Sequence, residues 1–363
     1  MQPKSDIQGA GDLQVTTFAS PDSTKGESTR DQVGDSRQSA GNRISRLLFS
    51  EYLLLYLIAA YLVVMVGLIP GLLSAGNLRS VLSNLLPLLV VSIAQGFVLI
   101  TAGIDLSVTA VFACSSVVGG LIMTADGGWL SHSPWSVPVG LAAMLLVGAV
   151  IGFLNGLSIT LFKMPPFVVT LSTMTFFGGV AVWITRSRNI YELPRQIATI
   201  GKGSIGFVPY ALLLTAMLAA IAHLVLSETV IGRWLYSVGQ NSKAALISGI
   251  PVNRTIICAY VVSGVCAAVA AILLTGRLET ASPIIGQRLL LDTVAAPVIG
   301  GVSLFGGRGK IRWIVFGALF VTFMDNGLNL LGLSYFVIMM AKGALVLLAA
   351  LLDVRRAAST AQA

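Results

Sequence analysis

Beyond Glu51 the chain carries only eight carboxylates: Asp105, Asp126, Glu192, Glu228, Glu279, Asp292, Asp325 and Asp353. Most stand in loops or at the ends of apolar runs, but Asp325 and Lys342 lie within such runs. A charged side chain inside a bilayer costs on the order of 3 kcal/mol by insertion scales, so each needs a partner or a task. The turn between their two runs falls near Gly332–Ser334, about two helical turns from either residue, which puts the opposite charges at similar depth on neighbouring helices. That spacing suits a buried structural ion pair. A proton or ion relay is the alternative, and it ordinarily takes a chain of such groups.

A second chemical string is Ala102-Gly103-Ile104-Asp105-Leu106-Ser107-Val108-Thr109. Gly103 is expected to break the preceding helix, and Asp105 then falls where an N-cap belongs, favoured by the helix dipole. Alternatively, a broken helix near mid-membrane presents backbone groups and Ser107 to a polar solute. Gly103, Asp105, Ser107 and Thr109 are therefore the candidate substrate pathway.

A third lies in the long polar segment Ser227–Arg254. Within Gly239-Gln240-Asn241-Ser242-Lys243-Ala244-Ala245-Leu246-Ile247-Ser248-Gly249, Asn241 can cap a short helix ending near Gly249. Gly239 and Gly249 bound it, and small Ala244 and Ala245 would let it sit deep in a partner's groove. An ordinary amphipathic connector is the plainer reading.

Other chemistry is missing. Gly306-Gly307-Arg308-Gly309-Lys310 continues with Ile311, so it lacks the hydroxyl of a nucleotide-binding phosphate loop. The chain is not expected to be an enzyme; if ATP drives it, another subunit hydrolyses the ATP. Gly201-Lys202-Gly203-Ser204-Ile205-Gly206 spells a dinucleotide fingerprint with no strand before it and reads as a flexible outer loop. Cys114, Cys258 and Cys266 lie in apolar runs as small hydrophobes, and His132 and His223 lack ligand partners at helical spacing, so neither metal nor cofactor is expected.

The elements that must hold these residues are membrane helices. Hydrophobic residues make up 55 % of the 363 and charged residues 10 %, with a mean hydropathy of +0.87; a soluble domain carries roughly 25 % charged residues. Continuous apolar runs exclude a porin-like barrel. The net charge of +8 reflects positive loops rather than nucleic-acid binding. Ten candidate spans follow from the apolar runs: 52–69, 81–101, 105–124, 137–162, 167–185, 208–227, 255–275, 289–304, 311–331 and 334–352. The eighth is short, holds Asp292 and Pro297, and reads as a half-helix or re-entrant piece. Residues 1–50 read as a disordered cytoplasmic tail, 51–356 as the permease domain and 357–363 as a short cytoplasmic C-terminal tail. The even count and the basic loops place both termini inside.

A faint repeat relates Asp105 to Asp292, Asn155-Gly156-Leu157 to Asn326-Gly327-Leu328, and Phe167-Val168-Val169 to Phe336-Val337-Ile338, at offsets of 169 to 187 residues. A shift of five helices inverts the second half, an arrangement that places a transport path at the repeat interface.

Together, AGIDLSV at 102–108, the Gly239–Ile250 string, Gly300-Gly301-Val302-Ser303-Leu304-Phe305-Gly306-Gly307-Arg308-Gly309, and Asp325-Asn326-Gly327-Leu328-Asn329-Leu330-Leu331-Gly332 resemble the membrane subunits of bacterial ABC sugar importers, the ribose-type permease family. The resemblance covers most of 51–356. It implies an all-α polytopic fold like that of the vitamin-B12 importer, with about ten spans in an inverted five-plus-five repeat. It also implies an inner-membrane location, a pair of ATP-binding subunits, a periplasmic sugar-binding protein, and a second permease that is a copy or a paralogue. The Gly239–Gly249 segment matches the loop such permeases insert into the ATPase. The chain departs from the family pattern at Thr109, where Gly is usual, at Thr185–Ile190, and at Leu290, where an acidic residue is common. The expected function is monosaccharide or polyol import. The rivals are a self-sufficient ion-coupled carrier and an ABC permease for another solute, such as branched amino acids.

Overall fold

The computed structural model describes residues 53–361; the tail expected over 1–50 lies outside them. In chain order the described helices are α1 (Leu53–Leu68), α2 (Ala75–Ile100), α3 (Val108–Met123), α4 (Ser136–Leu161), α5 (Pro166–Thr185), α6 (Arg195–Lys202), α7 (Tyr210–Glu228), α8 (Val230–Gln240), α9 (Ser242–Ile247), α10 (Val252–Leu278), α11 (Leu290–Gly300), α12 (Ile311–Leu330) and α13 (Tyr335–Ala361). A hairpin, β1 (Ser204–Ile205) with β2 (Val208–Pro209), joins α6 to α7. The fold is all-α and polytopic: seven helices, α2, α4, α5, α7, α10, α12 and α13, are long and apolar enough to cross a membrane, and α1 and α3 are shorter apolar helices. At ~1.5 Å per residue, the 11 residues of α11 reach about 16 Å, roughly half of a ~30 Å hydrocarbon core. The 289–304 segment is therefore too short a helix to cross.

Two boundaries and one loop differ most from expectation. α2 starts at Ala75 rather than 81, because Ser74 caps it by accepting from the Asn77 N–H. α13 runs to Ala361, through the expected boundary at 356. The Gly201–Gly206 stretch is no loose loop: Gly201 lies in the last turn of α6, hard against the backbone of Gly276 and Arg277, and the hairpin follows.

α2 is the central helix, buried along nearly its whole apolar stretch. Pro87 inside it cannot donate to the carbonyl four residues back. That carbonyl, Ser83 O, accepts instead from Arg277 Nη1 at 2.7 Å, which also reaches Asn84 Oδ1 at 2.7 Å. α4 and α10 cross closely because Gly148, Gly152 and Gly156 form one stripe on α4, and any Cβ there would meet the backbone of Gly264, Tyr260 or Ile257. Small residues at a spacing of four let membrane helices approach this way, with dispersion supplying the attraction.

Candidate substrate pathway and coupling site

The chain between α2 and α3 forms a buried polar centre. α2 ends with Ala102 in the left-handed region (φ 60°), while Gly103 leaves room for the Tyr260 hydroxyl, which a Cβ would displace. The break thus turns on Ala102; Gly103 serves a close approach. Nor is Asp105 the N-cap of α3. Ser107 holds that position and makes no capping bond through its side chain.

Asp105 does different work. It is fully buried, and its Oδ1 accepts from the Ser107 N–H at 2.9 Å and from Ser107 Oγ at 2.6 Å. Its Oδ2 accepts from Ser263 Oγ on α10 at 2.7 Å. Asn155 Nδ2 on α4 donates to Ser107 Oγ at 2.7 Å, and Thr173 Oγ1 on α5 donates to Asn155 Oδ1 at 2.7 Å. The Gln95 amide, oriented to satisfy both its ends, bridges the Asp105 backbone N–H and carbonyl at 3.2 and 3.1 Å. Ile104 O accepts from Thr170 Oγ1 at 3.1 Å and lies 3.5 Å from the Tyr260 hydroxyl. Asp105 thus stands at the hub of a network that joins α2, α3, α4, α5 and α10: its carboxylate takes donors from Ser107 and Ser263, its backbone is bridged by Gln95, and Asn155 and Thr173 extend the network from Ser107. Gly103, Asp105 and Ser107 belong to this centre. Thr109, also buried, stands one turn on in α3 without a described side-chain bond to it.

Ser263 is 11 residues into α10 and Asn155 is six residues from the end of α4, so Asp105 lies about 16 Å and 9 Å from those helix ends. It is displaced toward the side where α8 and α9 lie. Sequence reading did not join Asn155, Ser263, Thr173 and Gln95 to Asp105, because each is a neutral polar residue in a mostly apolar helix and their partners lie on other elements. The available signal was that an amide or hydroxyl in hydrocarbon needs a partner.

A second buried polar cluster is ionic. Lys342 Nζ on α13 lies 2.6 Å from Asp325 Oδ2 on α12, and also 2.7 and 3.0 Å from the two carboxylate oxygens of Asp292 on α11. The expected pair is therefore a triad, two carboxylates sharing one ammonium, and it pins the half-helix α11 to both its neighbours.

The third expected site changes more. Asn241 caps α9, its Oδ1 accepting from the N–H groups of Lys243 and Ala244 at 3.1 and 3.0 Å, and Gly249 is left-handed (φ 81°). Gly239, however, does not bound α9. It lies inside α8, buried, where any Cβ would strike the carbonyl of Ile100 and the N–H of Gly307. Ala245 is 4 % exposed and faces the chain's own interior rather than a partner's groove. The exposed residues of α9 are Ser242, Lys243, Ala244, Leu246 and Ile247, the last 88 % exposed.

The glycine-rich 300–309 stretch closes the assembly. Gly301, Gly306 and Gly307 adopt positive φ, and Gly306 packs on Ala102 and the Gly239 carbonyl. Gly307 donates to Ile100 O at 2.8 Å. Ser303 Oγ and the Leu304 N–H both donate to Asp353 Oδ2 at 2.9 Å. Tyr236 of α8, its phenol held above the ordinary value by burial, donates to Gly309 O at 2.7 Å. Three backbone segments therefore meet at the helix break that carries Asp105, and they can do so only where side chains are absent.

Comparison with known proteins bears on this arrangement. Residues 77–351 match the family described as the branched-chain amino acid transport system / permease component. The chain is 32 % identical to the ribose import permease protein of Haemophilus influenzae, over 87 % of this chain and 96 % of that protein. It is 38 % identical to the ribose import permease protein of Bacillus subtilis, over 82 % and 91 % respectively. It is 29 % identical to the D-allose transport system permease protein of Escherichia coli, over 85 % and 92 %. No solved structure matches the chain. With a polytopic helical bundle, a polar centre at a helix break and sequence similarity along nearly the whole membrane domain, the chain belongs to this family of transport-system permease components, among relatives of the ribose-import type.

Proposed function

We propose that the chain is the membrane-spanning subunit of an ATP-driven, binding-protein-dependent importer that passes a monosaccharide, a ribose-like pentose, hexose or polyol, across the inner membrane. Its likeness to ribose and allose permeases over most of their length supports the substrate class. ATP hydrolysis then belongs to a separate pair of subunits, capture of sugar to a periplasmic binding protein, and the path to two permeases side by side. Both termini and α9 are cytoplasmic in this reading.

The observation that carries the mechanism is the unbroken contact from α9 through Gly239 of α8 to Ile100, and from there to the Asp105 centre. An ATPase that pulls on exposed Leu246 and Ile247 moves α8, and α8 cannot move without displacing the α2–α3 break. The five helices joined at Asp105 then shift as one unit between two packed arrangements, each favoured by different partner contacts. The relay alternative is weaker: the Asp105 centre is otherwise built of neutral groups, and Lys342 is already committed to two carboxylates.

Reconstitution tests the reading. The chain, its ATP-binding subunits and the binding protein in liposomes should take up labelled ribose, allose or a related sugar only when ATP is present. Uptake by the chain alone on an ion gradient would establish the carrier alternative.

A further inference from the structure

The faint sequence repeat pairs the two buried polar clusters. At the 169-residue offset that aligns Phe167–Val169 with Phe336–Ile338, Thr173 falls on Lys342. Each stands seven residues into its helix, Thr173 in α5 and Lys342 in α13. Asp105 precedes the short helix α3, and its counterpart Asp292 lies in the first turn of the half-helix α11. Asn155 is six residues from the end of α4; Asp325, beside the matching Asn326, is five from the end of α12. In both halves the third helix reaches into the cluster. Thr173 Oγ1 donates to Asn155 Oδ1 at 2.7 Å, and Lys342 Nζ lies 2.7 Å from Asp292 Oδ1.

The clusters lie toward opposite ends of the bundle. α4 ends beside the start of α10, where Gly156 packs on Ile257, on the side of α8 and α9. α12 begins on that same side, because Tyr236 of α8 bonds Gly309 just before it. Asp325, 14 residues on, is therefore about 21 Å away along α12. The clusters also differ in how well they are satisfied. Each oxygen of the Asp105 carboxylate has a donor. In the triad two carboxylates share one ammonium, and Asp325 Oδ1 is buried without a hydrogen-bond partner among the described residues. A buried acceptor left unpaired costs stability. The Asp105 cluster is thus the tighter of the two in this arrangement, and the triad is the one nearer to giving way.

We infer that the two clusters are paired latches, one toward each face of the membrane, and that each half of the transport cycle releases one while the other holds. This rests on the import reading above and adds to it where the path opens and closes. Thr173 and Lys342 are the positioning residues that close the latches. The latches are coupled through the equilibrium between two states, so whatever loosens one favours the state in which the other is tight.

The test is hydrogen–deuterium exchange of the full chain in nanodiscs, read at residues 101–107, the α2–α3 break, and 284–291, the approach to α11. Asp292→Asn frees α11 and leaves Lys342 and Asp325 as a balanced pair; Thr173→Val removes one neutral bond from the other cluster. One hydrogen bond shifts such a balance by about fivefold, so each variant should speed exchange about fivefold at its own cluster and slow it by a similar factor at the other. The double variant should return both segments toward the unmodified rates. In the reconstituted importer it should also regain ATP-driven uptake that each single variant loses. Thr173→Ser, which keeps the hydroxyl, should match the unmodified chain. Independent structural anchors that share no partner would give additive effects instead. Faster exchange at the altered cluster alone, or a double variant worse than either single one, would therefore overturn the pairing. Should Thr173→Val not fold, Asp292→Asn must still slow exchange at 101–107, and no change there would overturn the pairing equally. Exchange is read without sugar or ATPase, so the latches can fail while the import reading stands. Failure of the unmodified importer to take up sugar would sink that reading by itself.

Discussion

Gly307 donates its backbone N–H to the carbonyl of Ile100 at 2.8 Å, so the loop after the half-helix α11 is bonded directly to the end of the central helix α2. Gly239 of α8 packs on that same carbonyl. The end of α8, the loop after the half-helix and the helix break thus share one oxygen as their meeting point.

Gly239→Val should expose how tight that meeting is. The new side chain would strike the Ile100 carbonyl and the Gly307 N–H, both backbone groups that cannot rotate away. Overpacking of this kind costs about 1–3 kcal/mol. The expected result is a lower melting temperature in detergent and loss of ATP-driven uptake. Unchanged melting and full uptake would show that α8 moves freely of α2.

The triad makes an asymmetric prediction. Lys342→Met leaves two uncompensated carboxylates on α11 and α12 and should cost about 3–5 kcal/mol, the usual penalty for breaking a buried pair from one side. Asp325→Asn leaves Lys342 paired with Asp292, so it should cost no more than about 1–2 kcal/mol. Lys342→Met with Asp325→Asn should recover only part of the yield, because Asp292 stays charged; adding Asp292→Asn should recover the rest. Folded yield and thermal melting check the order. Equal losses for Lys342→Met and Asp325→Asn would argue against a shared ammonium.

Asp105 separates shape from charge. Asp105→Asn keeps an acceptor for Ser107 and a polar group for Ser263, so folding should survive nearly unchanged. Asp105→Leu strands donors on Ser107 and Ser263 at the centre of the bundle. Each buried unsatisfied group costs about 1–3 kcal/mol, so this variant should fail to accumulate in the membrane. Comparable yields of the two variants, measured by fluorescence-detected size exclusion, would mean that the network does not hold the five helices together.

Cysteine crosslinking tests the proposal that α9 meets the ATPase, and by which face. A cysteine at Ile247, 88 % exposed, should crosslink to an ATPase subunit in the assembled importer, and one at Ala245, 4 % exposed, should not. A crosslink at 245 without one at 247 would mean that α9 is rotated relative to its described pose.

The apolar runs and their polar breaks determined that this is a polytopic helical protein, because a bilayer accepts few unpaired charges and requires backbone groups to be satisfied within helices. The same reasoning singled out Asp105, Asp325, Lys342 and the Asn241 cap, since a charge in an apolar run, or an amide before a short helix, is legible along the chain. The partners were not legible. Ser263 lies 158 residues from Asp105, and Asp292 lies 50 from Lys342. Helical periodicity gives a residue's face and depth, but which helix stands opposite is set by packing. The tertiary structure therefore decided that Asp105 is a five-helix anchor instead of a cap, that the expected ion pair has a third member, and that Ala245 turns inward. It also decided why Gly239 is glycine: the Ile100 carbonyl and the Gly307 N–H occupy the space where its side chain would be.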